Sequence, residues 1–236
     1  MRAGIVAAAG AVGAASVWSV PAAAPVVPFV ARALRIPTRL AERRGVALTF
    51  DDGPDAKGTP AVLEQLERIG ATATFFLVGE QVERNPSLAA EIVAAGHEVA
   101  LHGNRHRLHV LRSPHALAED LRRAIATVED AAGTEATAYR PPFGVFSRVS
   151  LDGVRRSGRR PVLWSRWGCD WRASATPDSI AQRSSMKLVA GDIVLLHDSD
   201  RYSAEGSWRK TAAALPLIAE SVVTLGAPFV SVTQAA

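Results

Sequence analysis

The chain has 236 residues, of which 48% are hydrophobic and 21% charged, so it can bury a sizeable core as one domain and lacks the composition of a disordered protein. Its formal net charge of +4 would suit an anionic partner, but the arginines are scattered and no nucleic-acid-binding signature accompanies them, so we expect no nucleic acid partner. The single cysteine, Cys169, excludes an internal disulfide and zinc sites built from paired cysteines, so any metal must bind His, Asp or Glu.

The N-terminal part of the chain differs from the rest. Arg2 is followed by a charge-free run from Ala3 to Val30, and small residues at 22–24 resemble a signal-peptidase site. This order predicts export, either by a signal peptide cleaved near Ala24 or by an uncleaved anchor that is long enough to span a bilayer. Attachment to a membrane is therefore one of two open outcomes, and a disordered leader on a cytosolic protein is the competing interpretation.

A short linker is expected between this leader and the folded part of the chain. Residues 31–44 have an amphipathic or linker-like pattern. We therefore assign residues 1–44 to a signal-like or anchor-like segment with its linker, and residues 45–236 to one folded domain.

From Gly45 onward, short apolar runs alternate with longer amphipathic ones. The predicted strands are Val46–Phe50, Ala73–Val78, Glu98–His102, Thr137–Arg140, Pro161–Ser165, Ile193–His197 and Phe229–Val232. The predicted helices are Thr59–Ile69, Gln81–Ala95, Pro114–Ala132, Ser147–Ser157, Pro177–Val189 and Trp208–Leu225. Sustained alternation of strand and helix predicts an α/β fold with a parallel sheet covered by helices, and the pattern fits both a barrel and an open doubly wound sheet.

Side chains suited to catalysis follow five of the predicted strands. They fall in the segments Asp51–Pro54, His102–His106, Arg140–Gly144, Trp167–Trp171 and Leu195–Asp198. Because the carboxyl ends of parallel strands meet at one edge of a sheet, we expect these segments to form one site.

Two of these segments have the chemistry of a metal site. The adjacent carboxylates of Asp51 and Asp52 repel each other unless a cation neutralises them, although Asp-Gly-Pro is also good turn chemistry. Alternation along the strand would let one carboxylate face a metal and the other the substrate. His102 and His106 are spaced i, i+4, which on a helical turn directs both imidazoles to one ion. Together they complete a set of two histidines and one carboxylate that leaves coordination positions open.

Five motifs in chain order resemble one family. Residues Thr49–Pro54 resemble the first motif of the polysaccharide deacetylases, the NodB-homology or carbohydrate esterase family 4 domain. The remaining motifs are carried by His102–His106, Arg140–Gly144, Asp170-Trp171 and Leu195–His197. The resemblance extends from about Val46 to Val232. It implies a distorted (β/α) barrel of about seven parallel strands with outer helices, and so favours a barrel over an open sheet.

The resemblance also implies a metal and its ligands. Asp52, His102 and His106 would bind one divalent ion, which is zinc in most of the family and cobalt or nickel in some members. One departure concerns this loop, because Gly103 stands where the family usually has Ser or Thr. The hydroxyl that braces the loop is then missing, and Asn104 or another group would have to replace it.

Catalytic roles follow from the same resemblance. Asp51 would be the general base and His197 the general acid, with Arg140 orienting Asp51 and Asp170 setting the protonation of His197. A metal-activated water attacks an amide carbonyl, and the amine that leaves needs a proton, which histidine supplies well near neutral pH.

Three further residues are expected to contact the substrate. Trp171 and Leu195 would line the pocket for the acetyl methyl group, and a backbone N–H near Phe143 would stabilise the oxyanion. Trp167 stands where the fourth family motif usually has its first Asp, and we expect its indole to change the wall of the cleft.

The resemblance implies a hydrolase that removes N-acetyl groups from the amino sugars of a polysaccharide, such as peptidoglycan or a chitin-like polymer. Removal of O-acetyl groups from a polymer such as xylan is the first alternative. An inactive carbohydrate-binding domain is a remoter one, because every proposed ligand and proton carrier is present. We expect a monomer in the cell envelope whose partner is a polysaccharide or oligosaccharide.

Overall fold

The computed structural model describes residues 18–233, which form one curled parallel sheet surrounded by helices. The strands are β1 (Ala47–Asp51), β2 (Ala73–Leu77), β3 (Glu98–Leu101), β4 (Ala138–Tyr139), β5 (Arg160–Pro161), β6 (Arg166–Trp167) and β7 (Ile193–His197). Their order is β5-β4-β3-β2-β1-β7-β6, and all neighbouring pairs are parallel. The expected (β/α) barrel of seven parallel strands is confirmed, as a half-barrel whose edges are β5 and β6.

The helices connect successive strands and cover the outside of the sheet. They are α1 (Pro28–Ala33), α2 (Gly58–Arg68), α3 (Gly79–Val82), α4 (Pro86–Ala94), α5 (Pro114–Ala132), α6 (Arg148–Arg156), α7 (Pro177–Ser185) and α8 (Ser207–Leu225). Three short 3₁₀ segments are Val20–Ala23, His109–Leu111 and Pro142–Gly144. The predicted helix over 81–95 is two helices, because Pro86 disfavours a helical conformation at the preceding residue and begins α4.

The centre of the sheet is where the apolar runs of the sequence lie. Every residue of β1 and β2 is buried, as expected for central strands of a parallel sheet that is covered on both faces. Strand β1 lies between β2 and β7. The side chains that follow β1 therefore emerge at the middle of the carboxyl-end rim, with the ends of β3 and β7 close on either side.

One predicted strand is divided between the two edges of the sheet. The sequence predicts a strand over 161–165, but Arg160–Pro161 pairs with β4 and Arg166–Trp167 pairs with β7. The four residues between them cross from one edge to the other, and a chain of that length spans at most about 17 Å between Pro161 and Arg166. The sheet must therefore curl until its edges approach each other.

The predicted last strand, Phe229–Val232, is wrong. Only an isolated bridge joins Phe229 to Val46, and the segment then turns across the amino ends of the strands. There the N–H of Val232 donates to Thr74 Oγ1, at 3.0 Å, instead of to a neighbouring backbone. Strand β6 takes the seventh place in the sheet.

The segment before the barrel packs against it. Ala24, Ala31, Ile36 and Leu40 are buried in the same apolar cluster as the strands. Most of the expected leader, residues 1–17, lies outside the described residues. Within residues 18–233, no helix is both long enough and apolar enough to cross a bilayer.

Candidate active site

The ends of β1 and β3 bring one carboxylate and two imidazoles together. Asp52 Oδ1 lies 3.5 Å from His102 Nε2 and 3.2 Å from His106 Nε2. Asp52 leaves the strand with a φ of 80°, so alternation does not send Asp51 and Asp52 to opposite sides, and Asp51 Oδ2 also lies 3.8 Å from His102 Nε2. The three residues Asp52, His102 and His106 form a cluster that could bind a metal ion.

The protonation of this cluster fits a cation. His102 Nδ1 lies 2.9 Å from the carbonyl oxygen of Arg140, which can only accept, so Nδ1 carries the hydrogen and Nε2 presents a lone pair. Burial lowers the pKa of His106 to about 4, despite the opposing charge of Asp52, so its imidazole is neutral near pH 7. Asp52 Oδ1 is buried without a hydrogen-bond partner among the described residues.

Asp52 itself is held as a carboxylate. Burial raises its pKa, but the nearby His102, His197 and His106 outweigh that effect and lower it to about 2. Its buried Oδ1 has no hydrogen-bond partner among the described residues and faces Nε2 of both His102 and His106, an arrangement that a cation between them would stabilise. The donor set therefore fits a divalent ion of the kind that binds imidazole and carboxylate, such as zinc.

The loop that carries His106 is braced by an acidic side chain from α5. Residues 102–108 are not helical, so the predicted helical turn is wrong, and Gly103 has a φ of 80°. Asp120 Oδ2 accepts the backbone N–H of Asn104 at 2.9 Å, and Asp120 Oδ1 accepts from Arg112 at 2.6 Å. Asp120 supplies the bracing that the sequence assigned to Asn104 or another group. A Cβ at Gly103 would lie 3.2 Å from this carboxylate.

Asp51 is held by a fully buried arginine. Arg140 Nη1 donates to Asp51 Oδ1 at 2.7 Å and to Thr49 Oγ1 at 2.8 Å, and Nη2 donates to the carbonyl of Leu163 at 3.2 Å. The guanidinium also lies over the ring of Phe76, 4.0 Å from its centroid. These contacts fix the Asp51 carboxylate and leave its second oxygen at the cavity.

His197, at the end of β7, is paired with Asp170. Its Nδ1 lies 2.9 Å from Asp170 Oδ1, while Asp170 Oδ2 accepts from the His197 backbone N–H and from Thr211 Oγ1. Burial lowers the pKa of His197, but the charge and hydrogen bond of Asp170 outweigh it and raise it to about 10. His197 Nε2 then carries a proton near neutral pH, 4.0 Å from Asp52 Oδ2.

A cavity of about 670 Å³ joins these groups. Eight of the ten residues proposed from the sequence line it, namely Asp51, Asp52, His102, His106, Phe143, Trp171, Leu195 and His197. The other two, Arg140 and Asp170, are completely buried behind Asp51 and His197. Leu195 and His197 are two apart on β7 and so share the face that looks into the cavity.

Phe143 has a strained backbone at the rim of this cavity. Its φ of 61° lies in the left-handed region, and its side chain is 57% exposed. Such a conformation at a non-glycine residue is unfavourable and is concentrated at functional sites. The ring of Phe143 lies against the metal-binding cluster, with its centroid 4.3 Å from that of His106.

Several cavity residues were missed as site residues by the sequence analysis. They are Pro25, Val26, Trp164, Cys169, Arg172, Arg183, Tyr202 and Ser203. Tyr202 follows β7, and aromatic residues near a polar strand end are a weak signal for it. Pro25 and Val26 gave no signal, because they lie within the leader-like run.

Fold and site together define a class: an α/β-barrel hydrolase whose rim carries a candidate metal cluster beside a carboxylate and a protonated histidine. Residues 39–162 match the family model described as polysaccharide deacetylase. The chain belongs to the polysaccharide deacetylase family, whose substrates are polysaccharides.

Individual relatives agree with this family. A peptidoglycan-N-acetylglucosamine deacetylase of Bacillus cereus is 35% identical over 191 residues, which cover 80% of this chain and 86% of that protein. A solved peptidoglycan N-acetylglucosamine deacetylase, in complex with a naphthalenyl N-oxidanyl-benzamide, is similar with a TM-score of 0.77 and 26% identity, covering 85% of this chain and 91% of its own. An acetyl xylan esterase of family 4 from Clostridium thermocellum, in complex with a cobalt ion, gives a TM-score of 0.73 and 29% identity, covering 80% of this chain and 89% of its own.

Proposed function

We propose that this protein is a metal-dependent hydrolase that removes N-acetyl groups from the amino sugars of a cell-envelope polysaccharide, with peptidoglycan as the leading substrate. The observation that carries the proposal is the meeting of three groups in one cavity. These are the cluster at Asp52, the arginine-held carboxylate of Asp51 and the protonated imidazole of His197.

Asp52, His102 and His106 would hold one divalent ion, which we propose is zinc, with cobalt or nickel as alternatives. When bound, the ion would polarise the acetyl carbonyl and lower the pKa of a water. Asp51 takes a proton from the attacking water through the oxygen that Arg140 leaves free. His197 donates the proton on Nε2 to the amine that leaves, while Asp170 keeps the imidazole in place.

The remaining contacts would select the acetyl group. Leu195 and Trp171 form apolar walls for its methyl group, and the Phe143 backbone N–H would stabilise the negative charge that develops on the carbonyl oxygen. Oxyanion donors of this kind are worth roughly 10²-fold to 10³-fold in kcat.

The charge of the cleft favours an anionic glycan. Arg172 and Arg183 line the cavity and are exposed, and within residues 18–233 neither guanidinium has an acidic partner or a hydrogen bond. Peptidoglycan carries the carboxylates of its stem peptides, whereas chitin and acetylated xylan backbones are neutral. The similarity to an acetyl xylan esterase keeps O-deacetylation as the second candidate, since the same groups can cleave an ester.

A cell-wall polymer as substrate would require export to the envelope. Two observations support export: the similarity to a peptidoglycan deacetylase, and an N-terminal sequence in which a basic residue precedes an uncharged apolar run. We further propose that residues 45–236 form the catalytic domain and that the protein acts as a monomer. An inactive carbohydrate-binding role is the remoter alternative, and the presence of every proposed ligand and proton carrier argues against it.

Acetate release is the test of this function. The full chain is stripped of metal and assayed on peptidoglycan, on N-acetylglucosamine oligomers and on acetylated xylan, before and after zinc or cobalt is restored. We expect metal-dependent acetate and new free amines from peptidoglycan, at a higher kcat/KM than from the neutral polymers. New hydroxyls without new amines would replace the proposal with the esterase alternative, and no acetate from any polymer with metal bound would overturn it.

A further inference from the structure

We infer that residues 18–26 remain on the mature protein and form one wall of the substrate cleft, so that Pro25 and Val26 help to determine which glycans bind. We call residues 18–26 the N-terminal strap. The choice of glycan as ligand rests on the proposed function, whereas the retention of the strap rests on packing alone.

The strap is fastened to the barrel at several points. Trp18 Nε1 donates to the carbonyl oxygen of Val110 at 3.1 Å, which ties the strap to the loop that follows His106. Pro21 is buried, and Ala24 is only 2% exposed and belongs to the core cluster. Cleavage near Ala24 would remove these three anchors together.

The end of the strap lies at the cavity that contains the metal-binding cluster. Pro25 and Val26 line that cavity. Pro25 packs on the Phe143 turn, since a Cβ at Gly144 would lie 3.1 Å from Pro25 Cγ. Gly144 itself has a φ of 72°, and its missing side chain is what lets Trp164 and the strap approach the turn.

The exposed surface of this wall suits a sugar ring. Val26 is 69% exposed and Phe143 is 57% exposed, so two apolar side chains at the rim are open to a ligand. A pyranose presents apolar C–H faces that pack on such side chains, while its hydroxyls remain toward the polar part of the cleft. A contact that is made equally in the bound substrate and in the transition state changes KM and leaves kcat nearly unchanged.

Removal of the leader after Ala24 would alter this wall chemically as well. Pro25 would become the amino terminus and place a positive charge beside the Phe143 turn. Without Trp18 and Pro21, the chain ahead of Pro25 and Val26 would lose the hydrogen bond to Val110 and the buried proline that fasten it to the barrel. A signal peptidase must therefore cut before Trp18 or not at all if the cleft is to keep this shape.

The first experiment reads the N-terminus of the protein that cells export or retain at the membrane. The full-length chain is expressed in cells, and the mature protein is analysed by intact mass and by its terminal peptides. We expect Trp18 to be present in it. A mature chain that begins at Pro25 would overturn the retention of the strap, whatever the activity.

The second experiment asks whether the strap contacts glycan. Val26→Asp in the full chain is expected to raise KM for peptidoglycan roughly fivefold or more, with a smaller change in kcat and no change in metal affinity. Phe29→Ser is the matched control, because Phe29 is 77% exposed and is not among the cavity residues. Equal KM values for the wild type and both variants would overturn the proposal that the strap forms a wall of the substrate cleft.

The glycan dissociation constant is measured by titration with the same polymer, so that binding is read even without turnover. Failure of the proposed function appears as a wild type that releases no acetate. Failure of the strap as a cleft wall appears as an identical dissociation constant for wild type and Val26→Asp.

Discussion

Tyr202 lies flat on the imidazole of His106, with the ring centroids 4.2 Å apart and the planes inclined by only 13°. The Tyr202 hydroxyl donates to Glu80 Oε1 at 2.7 Å and accepts from Gln81 Nε2 at 2.8 Å. Burial, followed by the hydrogen bond to Glu80, raises its pKa above the usual range, so the ring stays neutral. Tyr202 therefore fixes the plane of the His106 imidazole, whose Nε2 faces Asp52 in the metal-binding cluster.

Tyr202→Ala should weaken zinc binding by roughly tenfold to a hundredfold, because groups that orient a metal ligand typically contribute that much. Tyr202→Phe keeps the stacking but loses the hydrogen bonds, and we expect a smaller loss. Competition with a chromogenic chelator measures both affinities. Equal weakening in the two variants would mean that the hydroxyl, and not the stacked ring, holds His106.

Asp51→Asn should lower kcat by roughly 10²-fold to 10⁴-fold while zinc stays bound, because it removes the proposed base without removing a ligand. Asp52→Asn is the matched variant and should lose zinc as well as activity. Acetate release and the zinc content of the purified variants give the two readouts. An Asp51→Asn protein with full activity would show that the base lies elsewhere.

Asp170→Asn should move the alkaline limb of the pH profile of kcat/KM to lower pH. Asp170 outweighs burial and raises the pKa of His197 to about 10, so the wild-type imidazole keeps its proton through neutral pH and loses it only as pH rises further. Without that negative charge, burial dominates and the pKa falls. Profiles of wild type and variant in the same buffers test the shift, and an unmoved alkaline limb contradicts His197 as the acid.

Asp120→Ala should lower the free energy of unfolding of the metal-free protein by about 1–3 kcal/mol, because the N–H of Asn104 loses its buried acceptor. Zinc affinity should fall too, since the loop that carries His106 loses its brace. Denaturant unfolding and zinc titration measure the two effects. Glu119→Ala, on the exposed side of the same helix, is the control and should leave zinc affinity unchanged.

Replacing both Arg172 and Arg183 by alanine should raise KM for peptidoglycan roughly threefold to tenfold, as expected for two exposed charge pairs. KM for neutral N-acetylglucosamine oligomers should not change. Because such pairs are screened, the difference between wild type and variant should shrink at high salt. Arg68→Ala, outside the cavity, serves as control; equal losses on charged and neutral glycans would rule out recognition of carboxylates.

The sequence alone was sufficient to predict an α/β fold with a parallel sheet, its central strands and the residues at their ends. Apolar runs with β-branched and aromatic residues predicted the central strands β1, β2 and β7 within one or two residues, because fully buried strands leave a strong local pattern. Asp51 and His197 could be assigned to one rim because parallel strands end on the same side. The roles proposed for these two residues come from the resemblance of the five motifs to those of the polysaccharide deacetylases.

The local sequence pattern gave wrong strands where the structure of a segment depends on which other segment it pairs with. Residues 161–165 read as one strand, but Arg160–Pro161 pairs with β4 and Arg166–Trp167 with β7, at opposite edges of the sheet. The run at 229–232 reads as a strand, but its backbone pairs with β1's neighbour Val46 at one bridge only. Val232 and Thr233 then donate to side chains at the amino ends of β2 and β3. Strand propensity does not say which edge is free.

The sequence by itself determined which chemically reactive side chains stand at the ends of the central strands, since Asp51, Asp52, His102 and His197 lie at or directly after the ends of buried strands. Only the tertiary structure decided what surrounds them. The Tyr202 ring that stacks on His106, the Asp120 carboxylate that braces the His106 loop, and the N-terminal strap at the cleft all come from other segments of the chain. Folding brings such groups together through packing and hydrogen bonds, which leave no periodic pattern in the sequence around either partner.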